Sequence, residues 1–276
     1  MDLSTKPPLG STEYLHEAQK NLDRVLAAFW RMNDNLPKIE DDLRMAMSMM
    51  AWPIIESGIS MLMLSGVSKL RDCLILARPI LEHTLNIGYF GAKGENAVNG
   101  ALQHSHQKAY RDLKREISIK DFKLAIGLDN LENFPISDNL REAIEEFSNE
   151  KGFEIRAWTG DNTRKKIELI SDKYGKEIGM ILTINLFYIY RHSSEIIHGT
   201  LFGSIYSRGM TNLVQEWPIN DDEFKRFNNI EISFVLINTI LLIYCVARII
   251  HTHFPMEDGF NNINDIVIKY REQFKN

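Results

Sequence analysis

The feature of this sequence that most constrains its fold is an apolar stretch over residues 232–247, which only Ser233, Asn238 and Thr239 interrupt. A helix that is apolar on nearly every side has to be buried, either inside a protein or inside a bilayer. The stretch falls short of the roughly 18 to 20 residues that cross a bilayer. It therefore predicts a central core helix that ends near residue 254, and it argues against a membrane span.

Apolar residues recur at helical spacing along most of the remaining chain. With their capping and breaking residues they predict helices over about residues 11–35, 38–66, 69–90, 95–117, 137–149, 163–174, 176–198 and 263–274, whereas residues 201–217 are expected to be irregular. The sequence has no βαβ alternation, no internal repeat and no low-complexity linker. The prediction is an all-α protein, in which a flexible leader at residues 1–10 precedes a single helical bundle at residues 11–276.

Composition narrows the classes of function. The formal net charge of -5 argues against a surface that binds nucleic acid by bulk electrostatics, so any contact with RNA has to be local. The two cysteines, Cys73 and Cys245, lie in apolar helical segments, which favours a reduced, cytoplasmic protein. The chain has no phosphate-binding glycine loop and no Cys-x-x-Cys or His-Glu-x-x-His motif, so we expect no cofactor and no metal.

A group of reactive side chains lies at residues 190–199, in the last two turns of the helix predicted over residues 176–198. Arg191, Ser194, Glu195 and His198 stand at i, i+3, i+4 and i+7, so they share one helix face. A base, a hydroxyl, a carboxylate and a guanidinium on one face can bind or cleave a phosphate ester. Gly199 is expected to end the helix.

A second charged site interrupts the apolar helix predicted over residues 69–90. Arg78 and Glu82 stand at i, i+4 and are therefore neighbours on the helix surface, and Pro79 leaves the carbonyl of Ile75 without its usual donor. A kink or a local polar pocket should result. We expect this helix to lie beside residues 190–199, with Arg78, Glu82, Arg191, Ser194 and His198 converging in one pocket.

Two stretches together resemble a family of bacterial helical proteins known as domain of unknown function 5677. The first is LARPILEH at residues 76–83, and the second runs from AWTGD at residues 157–161 to YRHSSEIIHG at residues 190–199. The resemblance covers roughly residues 50–205. The family carries no settled activity.

A wider resemblance is to the higher-eukaryote-and-prokaryote nucleotide-binding (HEPN) superfamily of helical bundles, through an arginine and a histidine separated by four to six residues. Arg191 and His198 fit this pattern with six residues between them, and Arg78 and His83 fit it with four. The resemblance implies a HEPN-like up-down core at about residues 50–205 with extra peripheral helices, and the C-terminal helices at residues 221–275 are expected to pack on this core. It also implies a homodimer that acts as a metal-independent endoribonuclease of a toxin–antitoxin or phage-defence system, with RNA as substrate and a cognate antitoxin or defence partner.

Two interpretations of these residues remain open. In the first, His198 is the general acid or base, Arg191 stabilises charge on the phosphate, Ser194 and Glu195 orient them, and the Arg78 and Glu82 helix completes the pocket. In the second, the protein is a non-catalytic helical ligand- or partner-binding protein. There Arg78, Glu82, Ser194 and His198 form a structural polar network, since buried charges persist only when they are paired.

Overall fold

The computed structural model describes residues 7–127, 136–209 and 220–274, which leaves most of the predicted leader outside the described residues. The described elements, in chain order, are α1 Thr12–Asp34, α2 Asp42–Gly66, α3 Leu70–Lys93, α4 Glu95–Asp112, β1 Lys114–Ile119, β2 Phe122–Gly127, α5 Asp138–Glu146, α6 Thr163–Tyr174, α7 Lys176–Asn185, a π-helical segment Leu186–Tyr190, α8 Arg191–Ile197, α9 Leu201–Tyr206, α10 Asp221–His253 and α11 Glu257–Phe274. The all-α prediction is confirmed.

The chain divides into two compact units. The large unit comprises residues 1–92 and 163–276, and the small unit comprises residues 93–162. All the residues singled out at residues 78–83 and 190–199 belong to the large unit. The assignment of residues 11–276 to a single domain stays a prediction.

Helix α10 is the centre of the large unit, as the apolar stretch predicts. Its side chains from Ile240 to Ile250 are almost all fully buried, and α1, α2, α7 and α11 pack against it. The polar interruptions are satisfied within the helix, because Thr239 donates to the carbonyl of Val235 and Ser233 donates to that of Asn229. Each buried hydroxyl therefore has a partner and costs the core little.

Two of the described helices, α2 and α10, are long and apolar enough to cross a membrane by length and composition alone. Within the protein, 72% of the most apolar window of α10 is buried, but only 33% of the corresponding window of α2 is buried. Helix α10 thus has the burial of a core helix, whereas much of α2 faces outward.

Local capping sets the helix starts. Ser11 accepts a hydrogen bond from the backbone N–H of Tyr14 at 3.1 Å, which confirms the predicted start of α1. Helix α2 begins at Asp42 rather than near residue 38, because the carboxylate of Asp41 accepts from the backbone N–H of Arg44 at 2.7 Å. It then continues through Pro53 to Gly66, and α3 continues through Pro79 in the same way.

One of the predicted elements in the small unit is wrong. The helix expected over residues 95–117 ends at Asp112, and β1 pairs with β2 in an antiparallel hairpin. Residues Lys120 and Asp121 form its two-residue turn, with Lys120 in the left-handed region at a φ of 51°. The isoleucines at alternate positions 117 and 119 are typical of a strand. This alternation was not recognised because charged residues surround it.

Candidate functional site on helices α7 to α9

Helices α7 and α8 are joined by the π-helical segment into one rod over residues 176–197. A polar side chain on each side of the segment donates a hydrogen bond to a backbone carbonyl of the helix. The Asn185 amide donates to the carbonyl of Ile181 at 2.8 Å, and the Ser193 hydroxyl donates to that of Ile189 at 2.6 Å. The predicted helix over residues 176–198 is therefore present, but with an irregular turn directly before Arg191. Such turns frequently occur at functional sites.

The rod ends where the sequence predicts. Gly199 has a φ of 65°, its N–H donates to the carbonyl of Ile196 at 3.1 Å, and the N–H of Thr200 donates to that of Glu195 at 3.1 Å. These two bonds define a Schellman motif, which requires a left-handed residue after the helix. His198 is the C-cap residue directly after α8, and its imidazole is exposed at the C-terminal end of that helix.

Thr200 connects α8 to α9. Its hydroxyl donates to the carboxylate of Glu195 at 2.7 Å and accepts from the backbone N–H of Gly203 at 3.0 Å, so it caps α9. A Cβ on Gly203 would stand 2.6 Å from the carbonyl oxygen of Glu195, which shows how closely the two helices approach. Residues 201–206 are thus helical rather than irregular, and residues 210–217 of that expectation lie outside the described residues.

The two charged segments singled out from the sequence are in contact. Nε of Arg78 donates to Oε1 of Glu82 at 2.9 Å, as their i, i+4 spacing predicts. The guanidinium of Arg78 also lies 4.5 Å from the centre of the Tyr190 ring, and its Nη2 donates to the Tyr190 hydroxyl at 3.4 Å. Helix α3 therefore packs beside the end of the π-helical segment, with Arg78 as the link.

The other predicted site residues are less tightly held. The Arg191 side chain is exposed, with its guanidinium 5.8 Å from the centre of the Phe187 ring, and Ser194 is half-buried. Among the described residues, no side-chain hydrogen bond or ion pair involves Arg191, Ser194 or His198. The convergence of all five side chains in one pocket stays a prediction.

His83, the supporting residue next to Glu82, is half-buried on α3. Burial lowers the pKa of its imidazole, and the neighbouring Glu82 carboxylate opposes this effect. Its Nδ1 is buried and has no hydrogen-bond partner among the described residues. The imidazole is therefore held in its neutral form at a pH near 7.

A cluster around Glu231 of α10 was not predicted from the sequence. The hydroxyls of Tyr188 and Tyr206 both donate to Oε2 of this carboxylate, at 2.7 Å and 2.5 Å. Burial is the largest cause that raises the pKa of both phenols, and the charge of Glu231 and the hydrogen bond to it raise it further, so the phenols remain protonated donors. A lone carboxylate directly before the longest apolar stretch was the signal available in the sequence.

His192 belongs to the same cluster and faces inward. Its ring stacks on that of Tyr206, with centroids 4.1 Å apart and planes 6° apart, and it meets the Tyr188 ring edge-on. Burial lowers the pKa of the imidazole, with Glu231 opposing and Arg191 adding to the effect. The cluster thus fixes the inner side of α8 while Arg191 and His198 face outward.

The outward side of the rod carries apolar and aromatic side chains as well as cations. We call this surface the α7–α8 face, and its exposed members are Met180, Ile184, Phe187, Tyr190, Arg191, Ile197 and His198. Phe187 is 71% exposed. Aromatic rings interleaved with guanidinium groups can stack on planar ligands and bind anions.

Within the described part of the chain, no group of three or more histidines, cysteines, aspartates and glutamates could hold a metal ion. The α7–α8 face and the neighbouring Arg78 offer an imidazole, two guanidinium groups and exposed aromatic rings.

A family model described as a family of unknown function (DUF5677) matches residues 54–212, which is more than half of the chain. No curated protein and no solved structure gives a significant match.

Proposed function

The chain belongs to the DUF5677 family, and from its own residues we propose that it is a metal-independent endoribonuclease whose site is the α7–α8 face. The observation that carries the proposal is the outward position of Arg191 and His198, which stand on one helix face beside exposed aromatic rings. The proposal includes membership of the HEPN superfamily, through the arginine and histidine separated by six residues. It also includes a role in a toxin–antitoxin or phage-defence system.

The arrangement of rings and cations supports single-stranded RNA as the substrate. Bases stack on exposed aromatic side chains, and arginines bind the phosphates between them. Phe187 and Tyr190 offer the rings, while Arg191 and Arg78 offer the guanidinium groups within 6 Å of those rings. A local site of this kind is compatible with a net charge of -5, because it does not depend on the charge of the whole surface.

His198 is the proposed general acid or base. An imidazole at the surface can take a proton from a ribose 2′-hydroxyl or give one to a leaving 5′-oxygen near neutral pH. Arg191 stands two turns earlier, about 10 Å along the helix axis. One phosphodiester can therefore bridge the two side chains once the guanidinium leaves the Phe187 ring and extends toward His198. Arg191 would then stabilise the charge that develops on the phosphate.

The remaining predicted residues have positioning roles. Glu195 holds Thr200 and through it the start of α9, which fixes the end of α8 on which His198 stands. Arg78 and Glu82 hold Tyr190 from the side of α3. Ser194 is half-buried between Arg191 and His198 on the same helix face.

The alternative of a structural polar network draws support from Arg78, which donates hydrogen bonds to both Glu82 and Tyr190. It draws none from His198, because a residue that fixes helix register has to be buried and hydrogen-bonded. His198 is exposed, and its imidazole has no hydrogen bond within the described residues. The nuclease proposal accounts both for the contacts of Arg78 with Glu82 and Tyr190 and for the exposed position of His198, so we prefer it.

The test is RNA cleavage by the wild type and the His198→Ala variant, with total RNA as substrate and with a chelator present. We expect the wild type to cleave with the chelator and the variant to lose activity by about 100-fold or more, the usual contribution of general acid–base catalysis. His106→Ala is the matched control, because His106 is also an exposed histidine on a helix and lies in the small unit. It should cleave like the wild type.

Thermal unfolding of the same proteins separates the two interpretations. Because the side chain of His198 is exposed, its removal should leave the melting temperature unchanged. A lower melting temperature without RNA cleavage by either protein would favour the structural network. Cleavage that persists in His198→Ala, or a wild type inactive on several RNA pools, would refute the proposal.

A further inference from the structure

Helix α2 has two apolar faces, and only one of them is covered. The inner face packs into the core through the fully buried side chains of Met47, Ala51, Ile54, Ile55 and Met61. The outer face carries Met45, Met49, Trp52, Ile59 and Met63, all of them exposed, with Met63 exposed by 74%. A helix of a soluble protein normally has a polar outer face, and exposed apolar stripes of this size mark interaction sites.

The outer side chains follow a heptad spacing. Residues 45, 49, 52, 56, 59 and 63 are separated by alternating steps of four and three, and Glu56 is the one charged member. This is the spacing of a coiled-coil seam, which packs against another helix. We call these six residues the α2 seam. Trp30 of α1 widens it, because its ring meets that of Trp52 edge-on with centroids 6.0 Å apart.

The charges around the α2 seam are unsuited to a lipid surface. Asp41 and Asp42 lie at its N-terminal end, where anionic lipid headgroups would repel them. Glu56 lies in its middle, where insertion into the apolar phase would carry a large cost. The surface therefore fits a protein helix better than a membrane.

We propose that the α2 seam is a homodimer interface, in which α2 packs antiparallel against α2 of a second copy of this chain. The seam is centred near residue 54, so a two-fold axis there would set position 45 opposite position 63 and position 49 opposite position 59. Trp52 would then face Glu56, and its indole N–H could donate to the carboxylate, which satisfies the one charge in the seam. Methionine side chains adapt readily to such a contact.

Charge complementarity selects the antiparallel orientation. A parallel pair would set Glu56 opposite Glu56 and Asp42 opposite Asp42, and like charges at these positions are destabilising. The antiparallel pair sets Asp42 opposite Gly66, within reach of the exposed Lys69 that follows α2. The pair forms twice because the interface is self-complementary.

The size of the seam sets the expected strength of the dimer. Helix α2 has 25 residues and is therefore about 37 Å long, and one helix width is about 10 Å. A strip of these dimensions covers roughly 370 Å², which is below the ordinary interface size of about 800 Å² per partner. We therefore expect a dissociation constant in the micromolar range and an equilibrium that depends on protein concentration.

Sedimentation at protein concentrations from about 1 to 100 micromolar, chosen to bracket a weak interface, tests the proposal. The wild type should shift from the 31.9 kDa monomer toward twice that mass. Met63→Glu should raise the dissociation constant at least about tenfold, because it places a charge in the seam. Met180→Glu is the matched control, since Met180 is also an exposed helical methionine but lies on the α7–α8 face. It should leave the dimer intact.

Cysteine cross-linking tests the orientation. A chain with Met45→Cys and Met63→Cys should form a disulfide-linked dimer under mild oxidation, because the antiparallel register sets these positions opposite each other. Met49→Cys alone should not, whereas it would cross-link in a parallel pair. The native Cys73 and Cys245 are buried and give no background. Exchanging the charges of Asp42 and Lys69 tests the proposed ion pair between the two copies. Asp42→Lys and Lys69→Asp should each weaken the dimer, and the double variant should restore it.

Several results would overturn the proposal. A wild type that stays monomeric over the whole concentration range would do so, as would a dimer that Met180→Glu breaks and Met63→Glu does not. The last experiment measures binding of the protein to vesicles of mixed neutral and anionic lipid. A monomer that binds them, and loses binding on Met63→Glu, would assign the seam to a membrane surface instead. None of these outcomes depends on RNA cleavage, so the two proposals can fail separately.

Discussion

His192 is a half-buried histidine whose ring stacks on that of Tyr206 and whose buried Nδ1 has no hydrogen bond among the described residues. Burial lowers its pKa in the folded protein below the value of about 6.5 expected in the unfolded chain. As pH falls through 6.5, the unfolded chain therefore takes up the proton first, and stability is lost. The melting temperature of the wild type should fall between about pH 7.5 and pH 5.5.

The variant His192→Phe should reduce that loss, because a phenyl ring keeps the stack on Tyr206 and cannot be protonated. The loss should not vanish, since burial also lowers the pKa of His83 and His253. Circular dichroism melting curves of the two proteins across this pH range measure the difference. Equal pH dependence in wild type and variant would show that His192 does not contribute.

The side-chain contacts of the candidate site differ in how well the sequence predicts them. The Arg78 and Glu82 pair was predictable, because four residues along a helix bring the two side chains together whatever the fold. The Glu231 cluster was not, because its tyrosines lie 43 and 25 residues away along the chain and only tertiary packing joins them. The contact between Arg78 and Tyr190, separated by 112 residues, is of the same kind.

The end of α8 depends on the left-handed backbone of Gly199. A Cβ at this position would meet no atom within 4 Å, so a substitution changes only the backbone energy. Gly199→Ala should lower the free energy of unfolding by about 1 to 2 kcal/mol, the usual cost of this conformation for a residue with a side chain. Gly199→Asn should lose less, because asparagine tolerates that region. Urea denaturation measures both, and an alanine variant as stable as the wild type would contradict the prediction.

Prediction of the elements succeeded where the signal is local. The Ser11 cap, the Gly199 terminus and the apolar stretch of α10 each encode a helix boundary or a buried face in a few adjacent residues. The hairpin was missed because its alternation spans six residues and is mixed with charges. The π-helical segment could not be predicted from composition, because Leu186–Tyr190 is as apolar as the helix before it.

At the scale of the whole molecule, the small unit is an insertion between α3 and α6. Its two ends lie near each other, because Nζ of Lys93 is 3.9 Å from the carboxylate of Asp161. A flexible linker of about six Gly and Ser residues, with an average span of about 13 Å, should therefore replace residues 94–160. We expect the shortened chain to keep its helical circular dichroism and a cooperative thermal transition. Loss of cooperative unfolding would show that both units fold as one domain.

The π-helical segment also determines the direction in which the proposed site points. Each residue of an α-helix turns the chain by about 100°, and a π-helical turn holds roughly one residue more than an α-helical turn. If residues 186–190 wound as an ordinary α-helix instead, α8 would be rotated relative to α7 by roughly the turn of one residue, about 100°. Arg191 and His198 would leave the solvent side, while His192 would leave Tyr206. The π-helical winding of this segment is thus as much a condition for the site as the identity of its side chains.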